Sequence, residues 1–297
     1  MSTSPARPGA PGQQALAGIA LTLCACACFV LLDTATKLVS ASTPLVLALW
    51  LRYLFQTLFT SAYVLPRNGW RWPRTAHPRF QLLRALLFCA TSLFGIFSLS
   101  FMPLAEFTAV VAATPLCVTL AAALWLGQRV GPLRWLLVAT GLASVLLILR
   151  PGGASLGWAL LLPLGMLASG TGYQVLSSRM AGAEQPETIQ FYTSALATAL
   201  MTLTAPFVWQ AIADPWVWLG LLAMGLSSAL GHLLLLNAYA RATPATLAPF
   251  LYSQIAFATL AGWLVYGHIP DGWSQLGMGL IAASGAASTW LTVRELR

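Results

Sequence analysis

The sequence predicts an all-α integral membrane protein with ten transmembrane helices arranged as two inverted five-helix repeats. Of its 297 residues, 58% are hydrophobic and only 7% are charged, whereas a soluble domain carries roughly 25% charged residues. Its apolar runs are separated by proline, glycine and arginine, and about 20 apolar residues suffice to cross the hydrocarbon core of a bilayer. A soluble globular protein is excluded, because so few charges cannot cover its surface.

Ten apolar runs lie between these breaks, and each is assigned to one span. The predicted spans are 14–38, 44–65, 81–101, 103–126, 132–149, 155–179, 187–209, 215–241, 244–266 and 273–293. Proline opens several of them, where its missing N–H leaves no helical bond unmade. The first 13 residues are rich in Pro, Gly and Ser, which predicts a disordered tail. The first apolar run continues to Leu32 and nine more follow, so we expect it to be retained rather than cleaved as a signal peptide.

The basic residues orient the predicted bundle. If the arginine-rich loop after the second span is cytoplasmic, twelve cations lie on that side and only Lys37 and Arg150 lie on the other. The twelve are Arg7, Arg67, Arg71, Arg74, Arg79, Arg84, Arg129, Arg134, Arg179, Arg241, Arg294 and Arg297. This positive-inside pattern predicts a multi-pass protein with both termini in the cytoplasm. Cations placed at span ends are a topology signal, so no nucleic-acid partner is expected.

The second half of the chain repeats features of the first at an offset of 141 residues. Pro103 and Pro244 each open a span after a very short break, and Pro44 and Pro186 are separated by nearly the same interval. Because each copy holds five spans, an odd number, the second copy must be inverted in the membrane. We therefore predict a cytoplasmic tail at 1–13, a first repeat at 14–149 and a second, inverted repeat at 155–293. Inverted repeats are typical of secondary transporters whose substrate site lies between the halves near the midplane.

The ten spans in two repeats, with Ala105, Pro115 and Gly127 closing the first, resemble the EamA-type drug/metabolite transporters. The resemblance covers the chain after residue 13 and is greatest to bacterial exporters of aromatic and other amino acids. It implies a secondary transporter that exports small neutral amino acids across the cytoplasmic membrane by alternating access. The alternatives are export of other metabolites or drugs, such as organic cations or nucleosides, and a non-transport protein such as a sensor or scramblase.

Four ionisable residues lie within or close to the predicted spans, where a charge costs roughly 2.5–3.5 kcal/mol at a helix centre. They are Asp33, Lys37, Arg52 and Glu106. All four are predicted at similar depth on the periplasmic side, and their formal charges sum to zero, which favours ion pairing. One hypothesis is a periplasmic gate closed by these ion pairs, and the other is a permanent structural network.

Neutral polar residues occupy the comparable depth on the cytoplasmic side. The predicted substrate-binding residues are Tyr173, Gln174, His232, Tyr252 and Gln254. Their rings and hydrogen-bonding groups suit a compact polar head with an apolar body, as in an amino acid. His232 is either a proton-coupling group, since histidine titrates near neutral pH, or a neutral hydrogen-bonding residue.

The sequence predicts neither an enzyme nor a cofactor or metal protein. No H-E-x-x-H, G-x-S-x-G or P-loop motif is present, and the chain has only seven carboxylates. Cys24, Cys26 and Cys28 lack a neighbouring ligand that would complete a tetrahedral metal site, so small buried hydrophobic side chains are expected. The small residues of the last span are more typical of packing within one protomer than between two, so a monomer is expected.

Overall fold

The computed structural model describes residues 11–125, 131–149, 161–180, 183–239, 241–242, 247 and 250–295, and these ranges are helical with short connections. In the first half the helices are α1 Pro11–Val39, α2 Leu45–Arg67, α3 Pro78–Phe101, α4 Leu104–Ala112, α5 Thr114–Trp125 and α6 Pro132–Leu149. In the second half they are α7 Leu161–Met180, α8 Pro186–Thr202, α9 Ala205–Val208, α10 Pro215–Tyr239, α11 Ser253–Tyr266 and α12 Gly272–Glu295. The all-α prediction is confirmed for these residues.

Four of the described helices are long and apolar enough to cross a membrane. They are Gln13–Val39, Leu45–Arg67, Pro78–Phe101 and Pro215–Ala238, and three shorter apolar helices cover Leu104–Val118, Trp135–Leu149 and Ser253–Tyr266. The count of ten spans stays a prediction. We call the end of the bundle that carries residues 68–77 and 183–185 the arginine-rich face, and the end that carries residues 40–44 and 267–271 the opposite face.

The predicted fourth span is two helices, broken at Ala113 between α4 and α5. Pro115 is the physical reason, because it has no N–H to donate and its ring collides with the carbonyl four residues earlier. That carbonyl belongs to Val111, and the Thr114 hydroxyl donates to it at 2.6 Å. The break therefore leaves the Val111 oxygen with a donor, as a non-aqueous environment requires.

The predicted seventh span, 187–209, is also interrupted. Helix α8 ends at Thr202, and the single turn α9 follows it with Pro206 near its start. Proline suits that first turn and disrupts a helix that would continue through it. The Thr204 hydroxyl donates to the Met201 carbonyl at 2.7 Å at this junction.

Other boundaries differ by a few residues from the predictions. Helix α1 begins at Pro11, inside the segment predicted as a disordered tail, while residues 1–10 lie outside the described residues. Arg129, Arg150 and Pro244, which supported the topology and the repeat, also lie outside them. The side of the membrane on which each terminus lies, and the boundaries of the two repeats, stay predictions.

The helices pack in reciprocal pairs. Helix α1, the first of the first half, packs on α10, which belongs to the third predicted span of the second half. Conversely, α3 of the third predicted span packs on α7, the first helix described in the second half. The remaining pairs join counterparts directly, namely α2 with α8, α4 with α11 and α6 with α12. At the α2–α8 contact, the hydroxyls of Thr57 and Thr198 are hydrogen-bonded at 2.8 Å, and these residues are 141 positions apart. A residue that contacts its own counterpart lies on the axis that relates two repeats.

Close approach of α10 to α2 depends on Gly225. A Cβ at this position would lie 3.2 Å from the backbone of Phe55 and Gln56, and closer still to the Phe55 Cβ. Small residues at such crossings allow helix backbones to meet, which is the main packing device inside membranes. The approach brings Ser228, one turn further along α10, to the polar face of α2.

We expect Gly225→Ala to destabilise the protein by roughly 1–3 kcal/mol, because backbone atoms cannot yield as a flexible side chain does. Thermal unfolding of the purified protein in detergent should show a lower midpoint. Gly279→Ala on α12 is the matched control, since nothing lies within 4 Å of its added Cβ. An equal midpoint shift in the two variants would contradict the assigned close contact.

Candidate functional site

Aromatic and polar side chains from both halves meet in the middle of the bundle, and we call this group the central cluster. It comprises Phe29 and Asp33 of α1, Arg52, Tyr53 and Gln56 of α2, Arg84 and Phe88 of α3, Tyr173 of α7, and Ser228 and His232 of α10. These residues come from α1, α2 and α3 of the first half and from α7 and α10 of the second. This position between repeats is where secondary transporters bind substrate.

The Ser228 hydroxyl connects α10 to α2. The Arg52 guanidinium donates from Nη2 to the Ser228 Oγ at 3.3 Å, and that hydroxyl donates to the Gln56 Oε1 at 2.9 Å. Gln56 is fully buried. Arg52 and Asp33 interact electrostatically, but in the described chain no salt bridge joins them. Each lies about 9–11 Å from the end of its helix at the opposite face, at a rise of 1.5 Å per residue.

The rings of the central cluster form a continuous aromatic group around Phe88. Its ring centroid lies 5.4 Å from that of Tyr53 and 5.4 Å from that of Tyr173, with tilted planes. The Arg52 guanidinium lies 6.0 Å from the Phe88 centroid and 5.6 Å from the Tyr53 centroid. These spacings are favourable for ring–ring and cation–π contacts, which are strengthened where water is excluded.

His232 lies edge-on to two rings of this group. Its centroid is 5.0 Å from that of Phe29 and 6.0 Å from that of Phe88. Its Nδ1 lies 2.8 Å from the Ser228 carbonyl oxygen, which can only accept a hydrogen bond. The Nδ1 therefore carries the proton, and in the neutral ring Nε2 is an acceptor.

Arg84 provides a second guanidinium on the side of the cluster towards the arginine-rich face. It is 3% exposed and is solvated by four side-chain oxygens. The distances are 3.0 Å from Nε to the Ser177 Oγ, 3.1 Å and 3.4 Å from Nη1 to the Thr193 Oγ1 and Gln81 Oε1, and 3.2 Å from Nη2 to the Tyr173 hydroxyl. Its Cζ also lies 5.0 Å from the Tyr173 ring centroid. Arg84 thus has neutral acceptors in place of a carboxylate.

A carboxylate at the arginine-rich face connects to this network. Glu184 accepts hydrogen bonds from the Thr75 hydroxyl, from the Ala76 and His77 N–H groups at 2.9 and 3.1 Å, and from the Gln81 amide at 2.5 Å. Partial burial opposes its ionisation, but these hydrogen bonds prevail and hold the pKa of the carboxyl below its ordinary value. Glu184 also lines a cavity of 530 Å³ that includes Arg67 and Arg74.

The opposite face carries its own polar contacts. The Lys37 ammonium donates to the carbonyls of Leu99, at 3.0 Å, and Met102 at the end of α3. Glu106 accepts from the His268 Nε2 at 3.1 Å. Lys37 therefore neutralises a helix C-terminus and forms no ion pair with Asp33 in the described chain. Of the four charged residues predicted to pair, only Asp33 and Arg52 lie in the central cluster.

The predicted polar residues of the second half separate into three environments. Tyr173 and His232 belong to the central cluster, whereas Gln174 is exposed on the outer surface of α7. Tyr252 packs in an aliphatic core against Gly285 of α12, and it has no ring contact with the central cluster among the described residues. The Gln254 backbone lies beside Cys26 of α1. Neighbouring helical residues differ by about 100° in direction, so Tyr173 and Gln174 cannot both face inward.

Arg84, Phe88 and Glu184 are not among the site residues predicted from the sequence. Arg84 is predicted only as an orienting charge, although it lies six residues inside α3, deeper than a charge at a span end. Phe88 does not stand out in the sequence, because phenylalanine is common throughout the apolar runs. Glu184 does not stand out either, because nothing in its neighbourhood identifies the distant loop that it binds.

The site presents two guanidinium groups, one carboxylate and several rings, which suits binding rather than bond-making chemistry. No group of three or more metal-ligating side chains exists among the described residues. Two cations against one carboxylate disfavour an organic cation, because like charges repel strongly where water is excluded. A neutral or electron-rich planar molecule is the better match.

Comparisons with known proteins identify relatives over most of the chain. Residues 16–150 and 156–289 each match the EamA-like transporter family. A riboflavin transporter of Rhizobium johnstonii is 34% identical over 84% of this chain and 81% of its own, and one of Vibrio cholerae is 31% identical over 75% and 76%. The pseudopaline exporter CntI of Pseudomonas aeruginosa is 27% identical over 90% of this chain and 94% of its own.

A solved crystal structure shares the fold. It superimposes with a TM-score of 0.66 at 20% identity and covers 95% of this chain and 99% of its own. None of these named relatives is an amino-acid exporter. They therefore do not support the narrower resemblance to bacterial amino-acid exporters.

We expect Asp33 and Arg52 to depend on each other energetically. Asp33→Asn and Arg52→Gln should each lower the thermal midpoint, and the double variant should lose less than the sum, by roughly 0.5–3 kcal/mol. The reason is that removal of either charge leaves the other isolated where charge is costly. Asp33→Asn combined with Arg241→Gln, whose arginine is exposed just beyond the end of α10, is the control that should be additive. Strict additivity in the Asp33/Arg52 pair would contradict the coupling.

We also expect the hydrogen bonds that Glu184 accepts to weaken as the pH is lowered. Because the folded-state pKa lies below the ordinary value of 4.5, ionised Glu184 stabilises the contact fully above that value, and the stabilisation is lost as pH falls through the lowered pKa. Hydrogen exchange of the Ala76 and His77 amides, corrected for its intrinsic pH dependence, measures this. At neutral pH, Glu184→Gln should accelerate their exchange, whereas Glu187→Gln on the first turn of α8 should not. Equal protection in both variants would argue against the assigned role.

Proposed function

Because this chain belongs to the EamA-like transporter family, we propose that it transports a flavin such as riboflavin across the cytoplasmic membrane. The observation that carries the proposal is the aromatic group around Phe88, held between the halves with a guanidinium on either side. A planar heteroaromatic ring binds such a site by stacking on its aromatic side chains and on arginine. The riboflavin transporters among the relatives support the same substrate class.

The charge of the site supports this choice over a cationic substrate. A neutral ring with electron-rich carbonyl oxygens gains from Arg52 and Arg84, whereas a cation would be repelled by both. The relatives also include an S-adenosylmethionine uptake transporter of Rickettsia bellii, which is 22% identical, below the 34% and 31% of the two riboflavin transporters. We further propose that the arginine-rich face is cytoplasmic and that transport proceeds by alternating access, as the arginine distribution and the repeats suggest.

A zwitterionic amino acid, the substrate first predicted from the sequence, is the second candidate. Asp33 and Arg52 carry opposite charges at matching depth, without a salt bridge between them in the described chain. An amino acid could place its ammonium group on the carboxylate and its carboxylate on the guanidinium. Export of amino acids would then use the same central cluster with a smaller side chain against the rings.

Counterflow in proteoliposomes tests the two candidates. Vesicles loaded with riboflavin should accumulate labelled riboflavin faster than protein-free vesicles, and phenylalanine should not exchange. Phe88→Leu keeps an apolar side chain but removes the central ring, so the half-saturating riboflavin concentration should rise about tenfold, the factor that corresponds to 1.4 kcal/mol.

Phe94→Leu is the matched control for this experiment. It makes the same change two turns along α3, where the ring is partly exposed and packs near Gly165. Riboflavin exchange should be unaltered in it. Phenylalanine exchange without riboflavin exchange would favour the amino-acid candidate and refute the flavin one.

A further inference from the structure

Helix α2 presents three buried donors that have no acceptor in the part of the chain that the structure describes, and one of them is the Thr60 hydroxyl. The other two, the Nε of Arg52 and the Nε2 of Gln56, belong to the central cluster. The two residues are four positions apart and therefore share one face of the helix. Both also contact the Ser228 hydroxyl through their other polar atoms. The unpaired donors thus lie in one place, beside the aromatic group.

An unpaired buried donor is unfavourable, so proteins rarely retain one unless another group completes the bond. Gln56 is fully buried, and its amide is oriented by the Ser228 hydroxyl, which occupies its oxygen. The amide nitrogen is consequently left to donate elsewhere. Two such donors side by side suit a ligand that offers two acceptors.

Asp33 supplies the complementary acceptor. Its carboxylate forms no hydrogen bond with the residues described here, and it interacts electrostatically with Arg52. It lies one turn from Phe29 on the same face of α1, and the Phe29 ring contacts His232 of the central cluster. The cluster therefore combines these two unpaired donors with one acceptor that interacts with Arg52.

We infer that Asp33, Arg52 and Gln56 form a binding site for a cyclic imide, the carbonyl–NH–carbonyl edge of a planar heteroaromatic ring. Such an edge has two acceptors and one donor, which is the complement of the two donors and one acceptor in the site. The inference rests on the proposed function, because the pyrimidinedione end of a flavin is an imide of this kind. The carbonyl oxygens would accept from Arg52 and Gln56, and the imide N–H would donate to Asp33.

This assignment makes the imide edge the part of the substrate that decides specificity. The aromatic group accepts many flat rings, since stacking has little directional requirement. Hydrogen-bonding sites discriminate more strongly, because an analogue without the matching group leaves buried polar atoms unpaired. The three residues are thus specificity-determining, and the rings around Phe88 supply the apolar contact.

The ligand-side test compares riboflavin with 3-methylriboflavin, in which a methyl group replaces the imide hydrogen. Binding to the purified, unaltered protein is measured by quenching of flavin fluorescence. We expect 3-methylriboflavin to bind at least about tenfold more weakly, because it cannot donate to Asp33 and its methyl group collides with the carboxylate. This comparison requires no variant, so a folding defect cannot confuse it.

The protein-side test uses two variants. Asp33→Ala removes the acceptor and leaves space for the methyl group, so the two flavins should bind within about twofold of each other. Gln56→Leu keeps the volume but removes one donor, so both flavins should bind about tenfold more weakly. Gln275→Leu, the same change at an exposed position of α12 where the amide donates to Pro270, should leave both affinities unchanged.

The outcomes separate the inference from the proposed function. Equal binding of the two flavins by the unaltered protein overturns the imide site and leaves flavin transport intact. A discrimination ratio that persists in Asp33→Ala also overturns the role of Asp33. Failure of the unaltered protein to bind riboflavin at all overturns both the imide site and the proposed function.

Discussion

A guanidinium inside a lipid-embedded bundle must be solvated by the protein itself, and much of this structure follows from that requirement. Water is absent from the hydrocarbon region, so each N–H needs an acceptor from a neighbouring helix. Arg84 receives four, drawn from its own helix and from α7 and α8. These bonds fix α3 against the second half, which places Phe88 and Tyr173 in contact.

Arg52 is solvated less completely than Arg84. Among the described residues its one side-chain hydrogen bond goes to Ser228, and Ser228 reaches it because Gly225 lets α10 approach α2 closely. The face of α2 that carries the unpaired donors of Arg52 and Gln56 also contacts the aromatic group around Phe88. Arg84 therefore holds three helices together, and Arg52 is the guanidinium that we propose binds the ligand.

The hydrogen-bond network also extends from the interior to the arginine-rich face. Glu184 binds Gln81, Gln81 accepts from Arg84, and Arg84 donates to Tyr173. A rearrangement of the loop around Glu184 therefore reaches the aromatic group through three side chains. At the opposite face, Lys37 donates to a carbonyl at the end of α3, and Glu106 in the first turn of α4 binds His268.

The helical class and part of the central cluster can be predicted from the sequence for physical reasons. The high energy of intramembrane charge identified Asp33 and Arg52, and both lie in the cluster. The same criterion failed for Lys37, because it binds carbonyls at the end of α3, and carbonyl positions are not visible in sequence. Gln174 is predicted as the residue 141 positions after Asp33 and at comparable depth, although depth does not determine which way a helical side chain points. Pro115 alone is sufficient to predict the break at Ala113, but residues 103–126 are predicted as one continuous span because the run is apolar throughout.

The hydroxyl pair of Thr57 and Thr198 has a consequence for motion between the halves. The Thr198 hydroxyl donates to the Ser194 carbonyl at 3.0 Å, so in the pair Thr57 is the donor and Thr198 the acceptor. Thr57 lies near the middle of α2, far from both ends of the bundle. A tilt of one half against the other would therefore displace this hydrogen bond less than the contacts at the bundle's two ends.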